Sequence, residues 1–252
     1  MTKDNWAWPY PRYVAHRGGG SLAPENTLAA MRVGYAHGYR MVECDVKLSG
    51  DGTLVLMHDA TVDRTTNGSG RVAGMTWGEL ARLDAGHFRR DTLPQFAGEP
   101  VPTLEAVARY CLANAMAINI EIKPCPGREA ETGAAVAIEA LRHWRDAAVP
   151  PLISSFSEAA LERARERAPG LPRALLQHEP SADWLERLAR LDCVALDADF
   201  RGLTSGIVET AHQAGYRVAC YTPNDPADVR ELVGWGVDCI ITDAIDRIAP
   251  DG

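Results

Sequence analysis

Apolar residues along the chain come in short runs separated by longer amphipathic stretches. The runs at residues 12–16, 40–46, 117–123, 151–154, 172–177, 192–197, 216–221 and 237–242 are rich in Val, Ile, Leu, Ala and Cys, and they predict eight β-strands. Helical patterns lie between them. Leu104, Val107, Ala108 and Cys111 follow the i, i+3, i+4, i+7 spacing of a buried helix face. Thr76 and Glu79 have the spacing of a capping box and predict a helix start. Gly38, Gly215 and Gly236 each stand between a helical pattern and the next strand, where helices end in left-handed backbone. The joint His37-Gly38-Tyr39-Arg40 is echoed by Ala214-Gly215-Tyr216-Arg217, one helix-to-strand connection used twice.

Strands alternating with helices predict an α/β fold with a parallel sheet. Strand starts are mostly 20 to 34 residues apart, but 77 residues separate positions 40 and 117. That interval holds a further strand-like run from Thr53 to Met57, a Gly- and Thr-rich loop and the capped helix. Residues from roughly 47 to 100 are therefore expected to form a small inserted subdomain at the barrel mouth. Eight near-even units without a Gly-x-Gly-x-x-Gly turn favour a closed (β/α)₈ barrel, the TIM barrel, over an open doubly wound sheet. A chain of 252 residues, 46% hydrophobic, fits one such domain spanning 1–252.

A formal net charge of −8 with no basic stripe argues against nucleic acid as a partner. An acidic protein acting on phosphate needs placed cations, either Arg and Lys side chains or a metal ion. No run approaches the ~20 apolar residues of a membrane span, and residues 1–13 carry no apolar leader, so a cytoplasmic protein without membrane insertion is expected. Cys44, Cys111, Cys125, Cys193, Cys220 and Cys239 form no close pair, which suits reduced thiols over a disulfide framework or a zinc cluster. Nothing in the pattern fixes an oligomeric state.

The predicted strands end in polar residues: His16-Arg17, Glu43-Cys44-Asp45, Glu121-Ile122-Lys123, Ser154-Ser155, Gln177, Asp197 and Asp243. In a parallel barrel these ends share one face, the face that carries active sites. Alternation along a strand points Glu43 with Asp45, and Glu121 with Lys123. A single acidic strand end is more often a solvated rim residue than a ligand. Three converging carboxylates repel one another unless a cation sits among them, and an all-oxygen set suits Mg²⁺ or Ca²⁺. His16 and His58 adjoin this acidic mouth and are the natural groups to move a proton near neutral pH. His37, His87, His143, His178 and His212 read as ordinary helix or loop residues. Gly18, Gly19 and Gly20 fit a phosphate loop or a tight turn about equally.

In these residues the chain resembles the glycerophosphodiester phosphodiesterase family. The matching pieces are Ala15-His16-Arg17-Gly18, Pro24-Glu25-Asn26-Thr27, Glu43-Cys44-Asp45-Val46, Asp51-Gly52, His58-Asp59, Arg64-Thr65-Thr66 with Gly68 and Gly70, and Glu121-Ile122-Lys123. Ser154-Ser155-Phe156, Tyr221-Thr222-Pro223-Asn224, Gly236-Val237-Asp238 and Thr242-Asp243 follow in order, so the resemblance covers nearly the whole chain. It implies a barrel that hydrolyses glycerophosphodiesters to sn-glycerol 3-phosphate and an alcohol, with an insertion after the second strand. It further implies His16 and His58 as the acid–base pair, Glu43, Asp45 and Glu121 as holders of one divalent cation, and Arg17 and Lys123 on phosphate oxygens. Phe156 and Tyr221 would line the glycerol side. The family usually has Trp where Tyr221 stands, and often a residue other than proline at Pro223.

Under that resemblance the first nucleophile is water or the glycerol 2-hydroxyl, and the hydroxyl is the expectation, as in phosphatidylinositol-cleaving phospholipases. Two other readings remain. A phospholipase-type lyase acting on lipid needs an exposed aromatic or basic docking patch, and none is apparent. A non-catalytic phosphodiester-binding barrel is expected to lack one of the two histidines, and both are present.

Overall fold

The structure, a computed structural model, describes residues 8–250; the N-terminal stretch expected to lack a leader therefore lies largely outside the described residues. Nine strands form a single sheet: β1 (Tyr13–Ala15), β2 (Met41–Leu48), β3 (Leu54–Leu56), β4 (Ala117–Ile122), β5 (Leu152–Ser155), β6 (Arg173–Gln177), β7 (Ala195–Asp199), β8 (Arg217–Tyr221) and β9 (Cys239–Thr242). All but β3 are parallel. β1 pairs with both β9 and β2, which closes eight strands into a barrel. β3 lies antiparallel on the far end of β2, with Val46 opposite Leu56. The fold is the (β/α)₈ barrel expected from the alternation of runs.

The helices α1 (Leu28–Ala36), α2 (Trp77–Leu80), α3 (Leu104–Ala113), α4 (Glu129–His143), α5 (Glu158–Arg167), α6 (Trp184–Leu191), α7 (Ser205–Gln213) and α8 (Pro226–Trp235) fill the connections. α3 buries the four residues its periodicity marks. Thr76 and Glu79 exchange both bonds of the capping box. After α1 and α7 the chain turns in one way: Tyr39 N–H donates to the Gly34 carbonyl and Tyr216 N–H to that of Ala211, with Gly38 and Gly215 at positive φ.

One strand differs from expectation. Residues 192–197 do not form β7, which starts at Ala195 and continues to Asp199. Asp192 instead takes left-handed backbone and caps α6, a conformation Asp tolerates better than most residues. Asp197 is consequently not a strand end at the mouth. It lies within β7, fully buried inside the barrel.

The lower barrel interior is apolar, filled by Val14, Met41, Leu152, Ala195, Ala219 and Cys239 among others. The helices pack outside it through two larger clusters, and β3 and the segment after it form a fourth around Val55, Val72 and Leu80. Above this layer the interior turns polar, first with Asn119 within β4 and Asp197 within β7, then with the residues at the strand ends.

Candidate active site

β2 carries Glu43 and Asp45 on its inward face, and β4 brings Glu121 beside Asp45 in register. One carboxylate oxygen from each of the three lies within 4.8 Å of the others, and all three residues are buried. Asp45 is held from two sides. Asn26 donates to its Oδ2 at 2.7 Å, and the Asp45 N–H donates to Asn26 Oδ1 at 3.0 Å. Lys123 Nζ stands 3.1 Å from Asp45 and 2.9 Å from Glu121. Burial alone would raise Asp45, but Lys123 and Arg17 pull its carboxyl well below the usual range. Glu43 and Glu121 go the other way. Burial and the neighbouring carboxylates push both upward, as expected when like charges share a partly desolvated space.

This donor set fits a divalent cation. The ligands are hard oxygens, and among the described residues Glu43 Oε1 is buried without a hydrogen-bond partner while its Oε2 accepts from the Arg17 N–H at 2.9 Å. An orphaned oxygen on a carboxylate clustered with two others is an unsatisfied acceptor that a cation would satisfy.

Both histidines of the mouth are oriented by carboxylates. His16 Nδ1 is 2.7 Å from Asp243, and Arg17 Nε donates to His16 Nε2 at 3.2 Å. These bonds assign the Nδ1–H tautomer and leave a lone pair on Nε2. His58 Nδ1 is 2.6 Å from Asp59, which leaves its Nε2 as the nitrogen available at the cavity. Burial lowers the His58 imidazole and favours its neutral form. Binding to His16 holds Asp243 below the ordinary carboxylate range despite its burial.

Arg17 ties these parts together from left-handed backbone, φ 50°. Its Nη1 donates to Glu25 at 2.8 Å and its Nε lies 3.4 Å from Asp45. Glu25 also pairs with Arg64, and Arg64 with Asp59, so alternating charges connect the carboxylate cluster to His58. Nη2 of Arg17 has no protein partner among the described residues. The glycines behind Arg17 make a tight turn. Gly20 has φ +52°, and a Cβ there would sit 2.2 Å from the Asp243 carbonyl, so only glycine lets this loop close on β9 and bring Asp243 to His16.

A cavity of roughly 150 Å³ opens between the histidines, with Glu43, Glu121, Lys123, Phe156 and Tyr221 on its walls. Every residue singled out in the sequence for this site lines the cavity except Asp45, which stands directly behind it. Phe156 lies against Tyr221, ring centroids 6.0 Å apart, with Lys123 Nζ 5.8 Å from its ring. The Tyr221 hydroxyl donates to the Gln177 carbonyl at 2.9 Å.

Sequence reasoning missed several participants. His178, read as an ordinary loop residue, stacks on Phe156 at 4.7 Å and lines the cavity. Asn26, Asp59 and Asp243 orient the site; all three lie in the quoted motifs and could have been assigned there. Asn119 also lines the cavity, and in sequence it looks like a stray polar residue in an apolar strand.

Residues 16–247 match the model of the glycerophosphoryl diester phosphodiesterase family. A glycerophosphodiester phosphodiesterase of Caldanaerobacter subterraneus subsp. tengcongensis is 34% identical over 234 residues, 91% of this chain and 93% of the relative. Among solved structures, a phosphodiesterase of Oleispira antarctica in complex with the product sn-glycerol-3-phosphate is 34% identical, with a TM-score of 0.87 over 95% of each chain. A glycerophosphodiester phosphodiesterase of Agrobacterium tumefaciens is 32% identical, with a TM-score of 0.76, covering 94% of this chain and 97% of that one.

Proposed function

This chain belongs to the glycerophosphoryl diester phosphodiesterase family, and we propose that it hydrolyses glycerophosphodiesters to sn-glycerol 3-phosphate and an alcohol by acid–base catalysis from His16 and His58. It is an enzyme of the phosphoric diester hydrolase class. The observation that carries the mechanistic reading is the pair of histidines flanking one cavity beside three convergent carboxylates, each with Nδ1 on a carboxylate and Nε2 as the acceptor nitrogen, that of His16 taking a hydrogen bond from Arg17 Nε.

Glu43, Asp45 and Glu121 would hold a single Mg²⁺ or Ca²⁺, which when bound supplies positive charge to the phosphoryl oxygens. Arg17, through Nη2, and Lys123 bind the remaining phosphate oxygens and neutralise charge that grows in the transition state. One histidine takes the proton of the glycerol 2-hydroxyl as its oxygen forms a bond to phosphorus. The other gives a proton to the leaving alkoxide as the old P–O bond breaks. The resulting cyclic phosphate is opened by water with the two proton transfers reversed. Phe156 and Tyr221 enclose the glycerol side. A second cavity on the other side of His16, lined by Ser21, Arg89, Asn224 and Arg247, suits the departing alcohol.

The segment from about 47 to 100 acts as an inserted subdomain of a single-domain chain, and it contributes His58 to the mouth. The substrate is a small soluble molecule; among the described residues no helix is long and apolar enough to cross a membrane. All six cysteines are buried, which suits the reducing cytoplasm.

Release of glycerol 3-phosphate from glycerophosphocholine, coupled to a dehydrogenase, tests the reading. Turnover that stops with chelator and returns with Mg²⁺ or Ca²⁺ is expected. No release from a panel of head groups under either metal overturns it. A cyclic glycerol phosphate in rapid-quench samples is the expected mark of hydroxyl attack, and its absence at every time point favours direct attack by water.

A further inference from the structure

Below the carboxylate cluster the barrel buries polar atoms that find no partner. Asn119 on β4, Ser154 on β5 and Asp197 on β7 all line the cavity floor. Asn119 Oδ1, Ser154 Oγ and both carboxylate oxygens of Asp197 are buried without a hydrogen bond among the described residues. The three residues are 2%, 0% and 0% exposed, far deeper than His16 or His58. Leaving such groups unsatisfied costs stability, and buried polar atoms are otherwise almost always paired. One layer down the same barrel is filled with hydrocarbon, so a polar floor is no requirement of the fold. Small neighbours keep the space open: Ala174 stands in register with Ser154, and Ala219 with Asp197.

We propose that Asn119, Ser154 and Asp197 form a site for the terminal hydroxyl of the glycerol moiety, with Asp197 as its specificity-determining residue. This rests on the function proposed above. With the phosphate at Arg17 and Lys123, the glycerol 2-hydroxyl stays near the histidines and the terminal CH₂OH reaches deepest, toward the floor. A hydroxyl offers one donor and two acceptor sites. Asn119 Oδ1 can accept from it, while Ser154 and Asp197 can each donate or accept. Burial, and the Glu121 carboxylate nearby, push the Asp197 carboxyl well above its ordinary value, which favours the neutral form beneath an anionic substrate. A buried polar site rejects analogues that lack the matching group, because its own atoms are then left unpaired.

The test compares glycerophosphoethanolamine with the matching diester of propane-1,2-diol, which keeps the 2-hydroxyl and lacks the terminal one. The metal-loaded parent should favour the glycerol diester by ~10²-fold or more in kcat/KM. Asp197→Leu should reduce that preference to less than ~10-fold, with activity on the propanediol diester changed only a few-fold. If the Leu variant does not fold, Asp197→Asn, of nearly the same shape, should show a partial loss of preference. Calorimetry of the parent with sn-glycerol 3-phosphate and propane-1,2-diol 1-phosphate should give the same ranking without turnover. A parent that treats the two diesters alike, or a variant that loses both activities equally, overturns the proposal alone. A parent that turns over neither diester overturns the function itself, and this inference with it.

Discussion

The buried ammonium of Lys47 donates a 2.8 Å hydrogen bond to the backbone carbonyl of His58. A second bond, 3.0 Å, reaches the carbonyl of Lys123. One side chain on β2 thus pins the backbone of two proposed active-site residues that lie 65 positions apart. Lys47→Met should keep the hydrocarbon stem and lose both bonds. We expect a destabilisation of about 3 kcal/mol, since hydrogen bonds to charged groups contribute ~1.5–3 kcal/mol each and strand relaxation recovers part of that. A loss in kcat of ten-fold or more should accompany it. Chemical denaturation and steady-state kinetics check both, and a variant with unchanged kcat removes Lys47 from the positioning of His58.

His16→Ala and His58→Ala should each lower kcat by ~10²–10⁴-fold without unfolding the chain. Groups acting as a unit are not additive, so the double variant should resemble the worse single one. Asp243→Asn should lower kcat less than His16→Ala, and should cost nothing more when His16 is already gone. An independent, multiplicative effect of Asp243 would show that it does not act through His16.

Glu43→Gln separates a ligand from a structural carboxylate. Burial and its neighbours push the Glu43 carboxyl upward, so in chelator a neutral isostere should melt at the same temperature as the parent or above it. With cation a thousandfold over Kd, the parent gains about 4 kcal/mol and the variant should lose most of that gain. A large drop in melting temperature that is the same with and without metal contradicts the ligand role.

Asp59 predicts a pH effect on stability. Its hydrogen bonds to Arg64, and then to His58, pull its carboxyl down to about 2. A carboxylate lowered in the folded state stabilises the fold at neutral pH and loses that contribution as acid protonates it, here between about pH 4 and 2. Asp59→Asn lacks the contribution from the start. The stability gap between parent and variant should therefore be constant from pH 7 to about 5 and close toward pH 2. Urea melts across that range measure it, and a gap that is undiminished at pH 2.5 assigns the effect to something other than this titration.

Much of the fold was legible because parallel strands are covered on both faces and read as plain apolar runs. Helix ends were legible where Gly38, Gly215 and Gly236 supply left-handed backbone. The start of β7 was not. Leu191, Cys193 and Val194 carry the apolar signal of a strand, and only the left-handed φ of Asp192 shows that the helix is still being capped there. Within the site, the alternation of β2 put Glu43 and Asp45 on one face before any partner was known. The place of His178 was hidden because it depends on a loop landing on Phe156, a contact between two different βα units. Asn119 gave no signal of its own. A lone polar residue in a strand acquires meaning only when closure of the barrel shows which way it faces and what it fails to bond.

Pairing of β1 with β9 has a consequence for how the working enzyme comes into being. His16 lies at the start of the chain and the carboxylate that orients it, Asp243, 227 positions later. Such a contact has nearly the highest sequence separation this chain allows, and loops of that length close late and slowly. A ribosome has to release the chain through Asp243 before the two can meet. Partly synthesised chains can gather Glu43, Asp45, His58 and Glu121 into one half of the barrel, but their His16 lacks its orienting partner. Full turnover is thus reserved for the closed barrel, and the regain of activity on refolding should trail the first appearance of helix and sheet.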